Sequence, residues 1–252
     1  MDFIVYGHRH ADYLFEGLPE YANRWQEVKS ALYGITDEQI ICEFESESRK
    51  AKSISQAINR LIKREMKSRG WEDESYIFAD DEYREKGKWR LDFACEHLSM
   101  EVAFNHRSDI AWNLIKPTLA SELNHVEKAI QTSGGIVVAA TGAMKAAGGY
   151  DNAVGTYEDY VQYLRPLYGM LPAPLAIIGL LPPKTFKIEV IPIPNSDKKM
   201  GVVRRFAIER EGKLFCPYCG SELSDEAIAC DCGQPITRRS VTESSSDTNQ
   251  GD

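Results

Sequence analysis

Two patterns in this chain of 252 residues carry chemistry. The first is four cysteines in two tight pairs, Cys216-Pro-Tyr-Cys219-Gly and Cys230-Asp-Cys232-Gly. Zn²⁺ prefers four thiolates at the corners of a tetrahedron, and two short-spaced pairs wrap it from opposite sides. Gly220 and Gly233 follow each pair and permit the sharp turn that aims backbone N–H groups at sulfur. The second pair, C-x-C, is one residue shorter than the usual knuckle, and redox pairs or incidental cysteines are the plain alternative. The second pattern is a pair of acids in apolar surroundings, Asp92 in Trp-Arg-Leu-Asp-Phe and Glu101 in Leu-Ser-Met-Glu-Val-Ala-Phe. A carboxylate in such a setting costs several kcal/mol unless paired, hydrogen-bonded or bound to a cation. On adjacent strands the two acids converge and offer oxygen to a hard divalent metal. Spacing alone leaves open that both are ordinary solvent-facing strand residues.

The elements that must position these groups read as an alternation. Glu20–Tyr33 has apolar residues at helical spacing, and Ser53 opens a stronger helix whose stripe is Ile54, Ile58, Leu61, Ile62 and Met66, ending at Gly70. A polar connector from Glu72 to Gly87 leads to strands Trp89–Ala94 and Leu98–Phe104, close enough to form a hairpin. A helix is expected around Pro117–Gln131, with Pro117 in its first turn. Gly134-Gly135 then starts the buried strand IVVAAT, Thr156–Leu167 reads as a helix, and PLAIIGLL and TFKIEVIPI supply two more strands. Strands alternating with helices imply an α/β fold, a sheet layered with helices. Residues 1–194 form one domain, 195–213 a basic linker, 214–236 a small C-terminal zinc ribbon, and 237–252 a polar, disordered tail.

Composition sets outer limits. The net charge of −8, from 38 acids against 30 bases, argues against a nonspecific nucleic-acid coat protein, although local patches decide phosphate contact. No apolar run reaches the roughly 18 residues of a membrane span, and no signal peptide is visible, so a cytoplasmic protein without membrane association is expected. Cys42 and Cys95, outside the cluster, read as small buried hydrophobes. There is no G-x-G-x-x-G after a strand, no P-loop and no G-x-S-x-G.

The segment LDFACEHLSMEVAFN resembles the active-site hairpin of the PD-(D/E)xK nucleases, specifically of BglII-type restriction endonucleases. The resemblance extends over roughly residues 10–190. It takes in His10-Ala11-Asp12, the helix with Ile58-Asn59, Ile62-Lys63 and Glu65, Trp71, Ser121-Glu122-Leu123, the IVVAAT strand and Thr156-Tyr157-Glu158. It implies a restriction-endonuclease-like mixed central sheet flanked by helices. It also implies a type II enzyme that hydrolyses double-stranded DNA with Mg²⁺ at a short palindromic, GATC-centred site, working as a homodimer and leaving a 5′-phosphate and a 3′-hydroxyl. Asp92 and Glu101 become the metal-binding acids, and the Val102 carbonyl a third ligand; an acid near Glu74 is a further helper.

One position departs from the pattern. Where the family has Lys, Glu or Gln two residues after the second acid, this chain has Ala103, which shares a strand face with Glu101 and brings no polar group. Glu122 from the following helix, or His106 beyond the strand, is expected to orient or deprotonate the attacking water instead. The alternative is a catalytically weak or inactive DNA-binding protein on the same scaffold. Asn105-His106-Arg107 occupy the place where the resembling enzymes read bases, and Asn and Arg suit adenine and guanine, although a polar turn explains them equally well. Lys198, Lys199, Arg204 and Arg205 form the clearest basic run, suited to phosphate or simply to a solvated linker.

Overall fold

The structure, a computed structural model, describes residues 1–47, 51–84, 89–123, 126–224 and 226–239. Strand β1 (Phe3–His8) is followed by four helices, α1 (Ala11–Gly17), α2 (Pro19–Gly34), α3 (Asp37–Glu45) and α4 (Ser55–Ser68). Then come β2 (Glu72–Tyr76), the single turn α5 (Asp81–Arg84), and the hairpin strands β3 (Arg90–Ala94) and β4 (His97–Val102). Helix α6 (Ile110–Ser121) leads to β5 (Thr132–Ala140), the short α7 (Gly142–Ala147), α8 (Tyr157–Leu167) and β6 (Leu175–Leu180). A hairpin of β7 (Phe186–Pro192) and β8 (Lys199–Arg205) precedes three short strands, β9 (Ile208–Arg210), β10 (Lys213–Phe215) and β11 (Glu222–Leu223).

The first six strands make one mixed sheet in the order β1-β6-β5-β4-β3-β2. The pairs β4·β5 and β5·β6 are parallel and the others antiparallel. Central β5 and β6 are buried on both faces, which is why they read as unbroken apolar runs. One face packs on α1–α4 through Phe15, Trp25, Ile58, Leu61 and Met66; the other packs on α6 and α8 through Ile110, Leu114, Tyr160 and Leu164. The apolar stripe expected on α4 is fully buried, at about 1.5–3 kcal/mol for each large side chain. Helix α8 starts where Thr156 accepts from the Asp159 N–H and Asp159 returns a bond to the Thr156 N–H, a complete capping box.

Several expectations fail for identifiable reasons. The helix expected from Pro117 begins seven residues earlier, and Pro117 sits inside α6, where its ring forgoes one helical hydrogen bond. Past Ser121 the helix stops, and Leu123, inside the expected helix, is 90% exposed. Gly134 and Gly135 lie within β5 and serve close packing: a Cβ on Gly135 would come within 2.4 Å of Pro117 Cβ. The basic linker at 195–213 is largely strand, because β8 folds back on β7 and the Gly201 N–H bonds to the Ala51 carbonyl, docking the hairpin on the helical layer. Part of the expected connector, Glu72–Tyr76, is the edge strand β2; 85–87 lie outside the described residues. Cys95 is buried as expected, whereas Cys42 is exposed. Most of the tail, 240–252, likewise lies outside the described residues.

Candidate active site and metal centre

Phe93 pairs with Met100 and Ala94 with Ser99, so the next rung of the β3–β4 hairpin sets Asp92 against Glu101. That rung is not a backbone rung. The Val102 N–H donates to Asp92 Oδ2 at 2.7 Å, so the carboxylate takes the place of a strand carbonyl. The N–H and C=O of one strand residue point to the same side, so the Val102 carbonyl also faces β3 and Asp92. Glu101 is 2% exposed, and its Oε1 is buried with no hydrogen-bond partner among the described residues. Burial, and behind it the charge of Asp92, pushes the Glu101 carboxyl up to about 8, with Lys116 pulling the other way. Burial also raises Asp92, opposed by the Val102 N–H and Lys116. An orphaned carboxylate oxygen beside a second, half-buried acid is the donor set a hard divalent cation takes, and Asp92, Glu101 and the Val102 carbonyl are the groups that would hold it.

On β2, Glu74 stands opposite Asp92, between the pairs Asp73–Phe93 and Ser75–Leu91, with a positive φ of 53°. Its charge and that of Lys63 both act on Asp92. Lys63 in turn pairs with Asp73 at 2.7 Å. Sequence reasoning missed Lys116. From α6 its ammonium forms an ion pair with Glu101 Oε2, the two side chains 12% and 3% exposed. The two residues expected in this role make no hydrogen bond or ion pair with Asp92 or Glu101 among the described residues. Glu122 is exposed at the C-terminal end of α6 and lines a shallow cavity with Glu96, His97 and Pro174, by the starts of β4 and β6. His106 is exposed and bridges to Val154. Ala103 lies in the apolar cluster with Ile110 and Leu114, roofed by α6.

Asn105, His106 and Arg107 are exposed just beyond β4. The Asn105 Oδ1 accepts from buried Asn113 (3.0 Å), which also donates to the Tyr160 hydroxyl, while Arg107 Nε donates to Asp159. Arg204 and Arg205, expected at phosphate, have partners inside the protein: Arg204 bonds Glu189 across the β7–β8 hairpin, and Arg205 forks onto Glu38 of α3.

The four cysteines do come together. Their sulfurs lie within 4.8 Å of one another, with Cys216–Cys232 at 3.8 Å and Cys219–Cys230 at 3.5 Å. Four Zn–S bonds of about 2.3 Å in a tetrahedron set sulfurs about 3.8 Å apart, so the cluster fits zinc. Gly220 and Gly233, at φ 78° and 83°, close the two turns by donating to Cys216 and Cys230 carbonyls.

Residues 3–180 match the model of the restriction endonuclease BglII/BglIII family. The chain belongs to this family. Among solved structures, one similar to it is restriction endonuclease BglII complexed with a DNA 16-mer. It is 17% identical with a TM-score of 0.56, and the match covers 82% of this chain and 100% of that one. Free BglII matches at 14% identity and a TM-score of 0.48 over the same shares. No curated protein matches the sequence. For a BglII-type endonuclease the mixed sheet with flanking helices is the expected architecture, and the cysteine cluster lies C-terminal to the family match. No helix among the described residues is long and apolar enough to cross a membrane.

Proposed function

We propose that this protein is a type II restriction endonuclease that hydrolyses duplex DNA at a short palindromic site with Mg²⁺, as a homodimer, and that Zn²⁺ holds its C-terminal ribbon. The observation that carries the reading is the buried, partnerless Oε1 of Glu101 set beside Asp92 on the hairpin of a restriction-endonuclease family fold. A divalent cation bound there would polarise the scissile phosphate and make water a better nucleophile. The chain's own part is to bind and orient. Asp92 is held by the Val102 N–H, so its free oxygen is aimed without loss of side-chain freedom at the moment of binding. Glu101 stays in a dry setting, where its charge is worth most against a cation. Asn105 is exposed, and with its Oδ1 engaged by Asn113 it keeps its amide N–H groups as donors for base acceptors. Two-fold symmetry of a dimer matches a palindrome.

The test is digestion of phage-sized genomic DNA by the purified protein with Mg²⁺. Discrete fragments are expected, and Asp92→Asn or Glu101→Gln should each lower the cleavage rate at least about 100-fold, the scale on which a catalytic group contributes. DNA left intact across Mg²⁺ and Mn²⁺ overturns the reading. Ala103 favours a second reading, a DNA-binding protein that does not cut. Gel-shift binding without cleavage, unchanged by Asp92→Asn, would select it.

A further inference from the structure

We infer that Lys116, reaching across from α6, donates hydrogen bonds to the attacking water and to the scissile phosphate, the task for which β4 has no side chain at Ala103. The inference rests on the nuclease reading above. A lysine ammonium has three N–H donors and accepts nothing. Among the described residues its only acceptor is Glu101 Oε2, although the side chain is 12% exposed. Two donors therefore remain beside the two acids that would hold the cation, on a half-buried side chain. Those two donors are positioned to take a further acceptor at the site.

The packing explains why this group comes from the helix. Ala103 is 2% exposed and shares a cluster with Ile110 and Leu114, so a long polar side chain on the strand has no room under α6. One turn before Lys116, Trp112 packs on Trp89 with ring centroids 5.3 Å apart, and Trp89 immediately precedes β3. That contact ties the helix to the hairpin carrying Asp92 and restricts where Nζ can lie. The reaction balances without an added reagent. The water oxygen bonds to phosphorus as its proton leaves to solvent, the P–O3′ bond breaks, and the 3′-oxygen takes a proton from solvent. Lys116 keeps its charge throughout, holding the water and countering charge on the phosphate oxygens.

The decisive variants are K116M, of similar length and uncharged, and K116A. With Mg²⁺ we expect K116M to lower single-turnover cleavage at least about 100-fold, while affinity for DNA measured without divalent metal changes less than about threefold. Methylammonium added to K116A should restore at least about tenfold of the lost rate, which a purely structural lysine would not allow. In metal-free protein, a slowly exchanging lysine ¹⁵Nζ signal absent from K116M should shift when a short duplex is added. If K116M cleaves within threefold of wild type while D92N is inactive, the Lys116 role is overturned and the nuclease stands. A loss that amine does not restore, in step with a lowered melting temperature, also overturns it; should K116M not fold, the amine series decides. If wild type and D92N alike leave DNA intact, the nuclease reading fails and takes this inference with it.

Discussion

At the scale of single residues, the site is a place where charge is kept under tension. Glu101 is buried, and its folded-state value, about 8, lies above the ordinary 4.5. A raised acid favours the folded state while protonated, so this contribution is full below about pH 4.5 and is lost as pH climbs through 8. At about 1.4 kcal/mol per unit the loss amounts to a few kcal/mol. Without added Mg²⁺, the melting temperature should therefore fall between pH 5 and 8.5, and Glu101→Gln should flatten the profile. A melting curve for the variant that tracks the wild type would contradict this assignment. The four cysteines stood out in the sequence by type and close spacing, whereas Asp92 and Glu101 stood out only through the resemblance of their hairpin, since spacing alone left them as ordinary strand residues. Lys116 did not, because Pro117 read as the first residue of a helix and placed its neighbour outside it. Arg204 and Arg205 looked free for DNA because nothing local shows that Glu189 and Glu38, the latter 167 residues away, neutralise them.

At the scale of elements, what matters is how closely α6 lies on the sheet. Gly135 has no side chain where Pro117 and Leu175 crowd in, at 2.4 and 2.8 Å from where a Cβ would stand. Gly135→Ala should cost about 1–3 kcal/mol by overpacking, seen as a lower denaturation midpoint. It should also slow cleavage by lifting Lys116 away from Glu101, so an unchanged rate would show that the helix gives way elsewhere. The alternation of strands and helices was readable from periodicity, and β5 and β6 were found as apolar runs. Segment 195–213 was misread because its basic, polar residues alternate on a two-stranded arm whose docking point, the Ala51 carbonyl, lies some 150 residues earlier.

At the scale of the whole molecule, the hairpin and ribbon are attached in two different ways. The hairpin contributes Phe186, Ile188 and Val203 to the main core, whereas the ribbon has its own small cluster of Cys216, Leu223 and Cys230. A chain ending at Ala207 should therefore keep a cooperative unfolding transition, and one ending at Pro194 should lose stability sharply, because it strips β8 from β7. Stripping zinc with a chelator should unravel 214–236 and release about two pairs of titratable thiols, with the main transition left in place. Simultaneous loss of both would show that the boundary is drawn wrongly. The Val102 amide offers another global readout. Its proton is gripped by a carboxylate instead of by the neighbouring strand, so its deuterium uptake depends on what else Asp92 is holding. A backbone clock in the middle of the sheet can thus time the filling and emptying of the reaction centre while every phosphodiester stays whole.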